Sequence, residues 1–154
     1  MSEDIAAGPS LPWSDNFSVG IEVLDADHRA LVQLINEVCG NCGDAQRAQA
    51  LQALDALWTL AGEHFEREEG VLRGLAGYRD LDTHAGEHRN RLKQLTVLRQ
   101  RFEEAAAAGD RRRLCTDLID WFVRQSIGYD AAIKAYFDDR GGRFAGGPRP
   151  RKAS

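Results

Sequence analysis

The run AQRAQALQALDALWTLAGEHFEREEGVL, residues 45–72, decides how this chain is read. Leu51, Leu54, Leu57, Trp58 and Phe65 recur at intervals that place them along one stripe of an α-helix. Asp44 stands where an N-cap accepts from the first free backbone N–H groups, and Gly74 and Gly77 mark the stop. The same periodicity puts His64 and Glu68, four residues apart, on a shared face. A long amphipathic helix therefore carries an imidazole and a carboxylate together near its C-terminal end.

Working outward, three more helices follow the same rule. Upstream, Asp25 precedes HRALVQLINEVC, where Leu31, Leu34, Ile35 and Val38 repeat at helical spacing until Gly40-Asn41-Cys42-Gly43 ends the run. Downstream, a helix is predicted from Asp80 to Ala108 through Leu92, Leu95, Leu98 and Phe102. After the turn Gly109-Asp110, a last helix is predicted from Arg111 to Asp138 with Leu114, Leu118, Trp121, Phe122, Ile127 and Ile133. The four prolines sit at positions 9, 12, 148 and 150, so nothing between them carries the strongest helix breaker. Four helices joined by short loops pack most simply as an all-α, up-down-up-down four-helix bundle. We assign residues 1–12 to an N-terminal arm, 13–139 to the bundle, and 140–154 to a Gly/Pro-rich basic tail that cannot bury a core.

Composition narrows the function classes. The chain has 154 residues, 43% hydrophobic and 29% charged, the balance of a single globular domain. A formal net charge of −4 offers nucleic acid no broad basic surface. No apolar run approaches the roughly 20 residues needed to cross a bilayer, so no membrane partner is expected. The opening MSEDIAAGPSLPW lacks the basic flank and apolar stretch of a secretion signal, which predicts a cytoplasmic protein, and we expect it to be a monomer. Three cysteines, an odd number, argue for reduced thiols over a disulfide framework. Cys39 and Cys42 form a CxxC at the end of the first helix and Cys115 opens the last, so the topology gathers them at one end of the bundle. No fourth ligand for zinc accompanies them, and they read as small buried residues.

The opposite end gathers the polar residues. In an up-down bundle His28, near the start of the first helix, lies level with His64, near the end of the second, and with His84 and His88 in the first turns of the third. His84 and His88, in THAGEH, are one turn apart and share a face. Gln125 and Asp130 fall in the same half of the last helix. Carboxylates buried without compensation cost several kcal/mol each, to order of magnitude. A metal centre removes that cost: imidazoles from separate helices, with carboxylates to bridge, can hold two iron or manganese ions inside a bundle. An oxide, hydroxide or reduced dioxygen species balances the remaining charge.

Four segments carry a resemblance: WSDNFSVGIEVLDADHRALVQLIN, HFEREEGVLRGLAGY, HAGEH and WFVRQSIGYD. In order and spacing they resemble the signatures of the bacterial hemerythrins, over about residues 13–138. The resemblance implies a dioxygen-binding centre of two non-haem iron ions with a bridging oxide or hydroxide. It implies that His28 and His64 serve one iron, that His84 and His88 serve the other, and that Glu68 and Asp130 bridge them.

One position departs from the family pattern. The family's last helix carries a tryptophan, a histidine four residues on, and the bridging aspartate five further; Trp121 and Asp130 keep that frame, but Gln125 stands between them. An amide oxygen is a weaker donor than an imidazole, so the iron at His84 and His88 binds Gln125 weakly, takes water, or stays open. An open position favours autoxidation over reversible release. At about 100° per residue, Tyr129 falls between Gln125 and Asp130 and lies beside the site, while Trp121 forms pocket wall. The reading is thus an oxygen store, carrier or delivery protein, with a redox or delivery partner protein. Its rivals are a di-iron oxidase or peroxidase using the position at Gln125, a sensor of oxygen, nitric oxide or iron reporting through the basic tail, and a bundle that keeps only the scaffold.

Overall fold

The computed structural model describes residues 7–74, 81–129 and 133–134, with the backbone alone for Tyr129. Four α-helices make up the body: α1 Glu22–Cys39, α2 Arg47–Arg73, α3 Leu81–Glu104 and α4 Ala108–Arg124, the last running into a π-helical turn, Gln125–Tyr129. Among the described residues there is no strand. Each helix packs on its neighbours in sequence, and α4 packs back on α1, which closes the ring of an all-α four-helix bundle. A short 3-10 turn, Asp15–Phe17, lies against the π turn.

The main core runs along the bundle axis and takes Ile35 and Val38 from α1, Leu54 and Leu57 from α2, Leu95 and Phe102 from α3, and Leu118 and Phe122 from α4. A second, smaller cluster of Val19, Ile21, Leu24, Leu72 and Ile133 closes the other side of the histidine level. The layer holding His28 and Glu68 therefore lies between two apolar plugs, because Leu24 and Leu31 flank it along α1 while Phe65 and Leu72 flank it along α2. Water is kept out from above and below.

Several boundaries differ from those predicted, each for a physical reason. Helix α1 starts at Glu22, ahead of Asp25. Asp25 sits in its first turn and reaches back, accepting from Val19 N–H at 2.7 Å, Ser18 Oγ at 2.6 Å and Gly20 N–H at 3.2 Å. This carboxylate organises the entry loop, in which Gly20 takes φ +88°, a conformation that disfavours any residue with a Cβ. Asp44 does not cap α2, whose N-cap position is Gln46 with no side-chain cap bond. Its carboxylate pairs instead with the guanidinium of Arg111.

Helix α3 ends at Glu104 and α4 starts at Ala108, so Gly109 and Asp110, predicted as a turn, are the first turn of α4. At Gln125 the α-helix passes into the π turn, and Ile133 and Lys134 are helical again; residues 130–132 and 135–154, with the predicted end at Asp138 and the basic tail, lie outside the described residues. Trp58 and Ile127, read as core from periodicity, are each nearly half exposed. The Trp58 indole N–H donates to Thr96 Oγ1 at 3.1 Å across the α2–α3 groove, which keeps the ring at the surface. Ile127 lies in the π turn, where the altered pitch rotates it out of the stripe.

Arg111 closes the end of the bundle remote from the histidines. Its guanidinium is 1% exposed. Nε donates to the carbonyl of Cys42 at 2.7 Å, Nη1 to the carbonyl of Ala105 at 2.9 Å, and Nη2 to Asp44. One side chain thus satisfies two inter-helix loops. Replacing it, Arg111→Met, strands buried carbonyls and is expected to cost about 3 kcal/mol, lowering Tm by roughly 6–12 °C for a domain of this size. Thermal unfolding followed by circular dichroism measures this; a loss under about 1 kcal/mol would mean the loops hold without it.

Candidate metal centre

His28, His64, Glu68, His84 and His88 converge from α1, α2 and α3, and all are at least 94% buried. Glu68 is common to two sets of three, His28–His64–Glu68 and Glu68–His84–His88, within each of which the donor atoms lie within 4.8 Å of one another. The helix register supplies two of these pairs directly. His64 and Glu68 are four apart on α2, with His64 Nε2 3.7 Å from Glu68 Oε2, and His84 and His88 are four apart on α3.

The ring nitrogens remote from Glu68 fix the orientation of three imidazoles. His28 Nδ1 lies 2.5 Å from the carbonyl of Phe17, which can only accept, so Nδ1 is the donor. His64 Nδ1 faces Asp27 Oδ2 at 3.0 Å. Burial works to raise the Asp27 carboxyl, but hydrogen bonds from His64 and Arg67 outweigh it and hold the group down at about 2. Ionised Asp27 only accepts, so His64 Nδ1 also donates. Burial lowers the His64 pKa and keeps that ring neutral despite Asp27 and Glu68, which pull the other way. His88 Nδ1 lies 2.7 Å from Glu69 Oε2.

The consequence appears at the other edge of each ring. With both Nδ1 atoms committed as donors, His28 Nε2 and His64 Nε2 turn lone pairs toward each other across 3.2 Å. His88 Nε2 stands 2.7 Å and His84 Nε2 3.3 Å from the same oxygen, Glu68 Oε1. The facing lone pairs of His28 and His64 repel unless a cation lies between them, and imidazole nitrogens with a shared carboxylate are the donor chemistry of divalent iron, manganese or zinc. The residues present fit a metal centre.

Second-sphere partners complete it. Arg67 grips Asp27 through Nε and Nη2, both at 2.8 Å. Phe65 stacks on His88 with ring centroids 4.2 Å apart and planes 10° apart. Phe122 meets His28 edge-on at 5.8 Å and Phe17 at 5.1 Å. A cleft of about 430 Å3 between α2 and α3 reaches His88 from the surface, with Phe65, Glu69 and Arg89 among its walls.

The remaining candidates are placed differently. Gln125 is 3% exposed at the start of the π turn. Trp121, also buried, donates its indole N–H to the carbonyl of Arg91 at 3.0 Å and so is tied to the backbone of α3. The premise that put Tyr129 at 100° per residue does not hold in a π turn, and its side chain lies outside the described residues, as does Asp130. Sequence reasoning missed Asp27, Arg67, Glu69 and the Phe17 carbonyl. The one available signal was acids adjoining the histidines and Glu68 in DADH and EREE, a pattern that orienting carboxylates follow but do not monopolise.

The chain belongs to the hemerythrin family. Its residues 19–125 match the family described as the hemerythrin HHE cation binding domain. A bacteriohemerythrin of Ralstonia nicotianae is 32% identical over 136 residues, covering 86% of this chain and 93% of that protein. Bacteriohemerythrins of Stenotrophomonas maltophilia and Pseudomonas aeruginosa are 29% and 25% identical, covering 83% and 80% of this chain and 84% and 82% of theirs.

The orienting role of Asp27 is open to measurement. In Asp27→Asn the charge that holds His64 and Arg67 is lost while the side-chain shape is kept. Affinity for ferrous or zinc ion, measured by competition with a chromophoric chelator, is expected to fall roughly 10–100-fold with the helical circular dichroism unchanged. Equal affinity would show that His64 is oriented by packing alone.

Proposed function

We propose that this hemerythrin-family chain holds two non-haem iron ions and binds dioxygen at them, as a cytoplasmic oxygen store or delivery protein. In this reading His28 and His64 serve one ion, His84 and His88 the other, and Glu68 and Asp130 bridge them with an oxide or hydroxide. The observation that carries it is Glu68, a fully buried carboxylate facing imidazole Nε2 atoms of both histidine pairs. Ferrous ions supply, when bound, the electrons that dioxygen takes up.

The protein's own part is orientation and exclusion of water. Phe17 and Asp27 fix the Nδ1 protons of His28 and His64, so the Nε2 of each is a bare donor before any ion arrives, and Glu69 holds the His88 ring in place through Nδ1. The apolar clusters on either side deny the site bulk water, which favours binding of a small apolar gas over hydrolysis and proton leakage. The cleft at His88 is the route by which such a molecule enters.

Gln125 favours a second reading. Where the family pattern has a histidine, this chain presents a buried amide, which leaves one ion with a weaker donor. That position admits peroxide or an external reductant, the condition for oxidase or peroxidase turnover.

Iron analysis of the purified protein and optical spectra of the reduced form before and after air test both readings. About two irons per chain, with a visible band that appears in air and fades under vacuum, is the outcome expected of a carrier. Steady peroxide consumption with a reductant is the outcome expected of the enzyme, and an iron-free protein overturns both. Gln125→His is expected to slow autoxidation by about tenfold or more; an unchanged decay removes Gln125 as the cause of any instability.

A further inference from the structure

Three thiols meet at the end of the bundle away from the histidines. Cys39 closes α1, Cys42 lies in the loop after it, and Cys115 sits on α4; all three are free and at most 1% exposed. Their level on α1 is roughly 16 Å from His28 at 1.5 Å rise per residue, so the metal centre makes no use of them. Cys42 Sγ and Cys115 Sγ are 3.5 Å apart, and Cys42 Sγ also lies 3.4 Å from the carbonyl of Cys39. A disulfide needs about 2.05 Å between sulfurs, a closure within the reach of side-chain rotation.

A strap of N-terminal chain covers this pair. Gly8 N–H donates to the Cys39 carbonyl at 2.5 Å, while Leu11 and Asn36 exchange two hydrogen bonds, at 2.7 and 2.9 Å. A Cβ on residue 8 would stand 3.2 Å from Cys42 Sγ and 3.1 Å from the Cys39 carbonyl oxygen. Glycine is what allows the strap to lie directly on the sulfur.

We propose that Cys42 and Cys115 are a redox-modification site, forming an intramolecular disulfide when a peroxide oxidises them, and that the strap at residues 8–11 controls their access to it. When the strap lifts, Cys42 loses its proton to water and its sulfur attacks a peroxide oxygen. The S–O bond forms as the O–O bond breaks, leaving a sulfenic acid and releasing water. The Cys115 thiol then attacks that sulfur, the S–S bond forms, and a second water leaves. Two thiols lose two electrons and two protons, and one peroxide becomes two waters. With the strap down the pair is inert: the hydrogen bond with Cys115, then burial, pushes the Cys42 thiol far up, and the hydrogen bond with Cys39, ahead of burial, does the same to Cys115.

The test treats the reduced full-length chain with hydrogen peroxide under native conditions, traps remaining thiols by alkylation, and maps peptides by mass spectrometry. Expected are a Cys42–Cys115 cross-link reversed by dithiothreitol and, of the three thiols, one left to alkylate. Cys39→Ser keeps the cross-link. Gly8→Val, which pushes the strap off the sulfur, and Asn36→Ala, which removes the two bonds to Leu11 without adding bulk, each speed its formation about tenfold, as for a locally opened segment. A link confined to Cys39 and Cys42, or no link in any variant although a small thiol reagent labels them, overturns the site. Cross-linking at the unmodified chain's rate in both strap variants overturns the control.

Discussion

The Nδ1 protons of the buried histidines are the constraint on which the polar centre depends. An imidazole has one proton to place, and a carbonyl or ionised carboxylate at Nδ1 decides where it goes. The Phe17 carbonyl settles His28 and Asp27 settles His64, while His88 is held between two carboxylates, Glu69 and Glu68. The Nε2 atoms of His28 and His64 are thereby lone-pair donors aimed at each other beside Glu68. In water such an arrangement would disperse. Here the helices cannot rotate away, because the same α1 and α2 carry Ile35, Val38, Leu54 and Leu57 into a dry core.

Helix periodicity makes this placement economical. A spacing of four residues delivers His64 with Glu68 and His84 with His88 without any loop chemistry, and antiparallel packing sets α1 level with α2. The last helix departs from that period at Gln125, where the π turn changes which residues share a face. Local widening of a helix at a polar centre is a common functional device, since regular α-helix cannot align residues five apart. The 3-10 turn that supplies the Phe17 carbonyl packs on this same π turn, so both irregular segments meet beside His28.

The two ends of the bundle treat buried polarity differently. At the far end Arg111 donates to two loop carbonyls and to Asp44, so its buried guanidinium is paired within the protein. At the histidine end acceptors face acceptors, an arrangement a structural core does not keep. The contrast separates a polar group that holds the fold from a polar cluster whose donor set fits a cation.

The fold was legible from the sequence because its evidence is local. Apolar residues at three- and four-residue spacing, the absence of proline from the middle of the chain, and short Gly-rich breaks specify four helices, and four such helices leave little choice but a bundle. The histidines and Glu68 were legible for the same reason, since i,i+4 pairs and the up-down order place them at one level. Helix ends were not: Asp44 has the chemistry of a cap, yet a buried guanidinium from α4 competes for its carboxylate and wins. Nor were Trp58 and Ile127, whose exposure depends on a cross-helix hydrogen bond and on a change of pitch. The orienting partners were hidden most completely. Asp27 meets a histidine 37 residues away and Glu69 meets one 19 residues away. Periodicity fixes the face on which a side chain lies, whereas the atom it touches depends on the rotation and offset of the neighbouring helix, which only the packed structure decides.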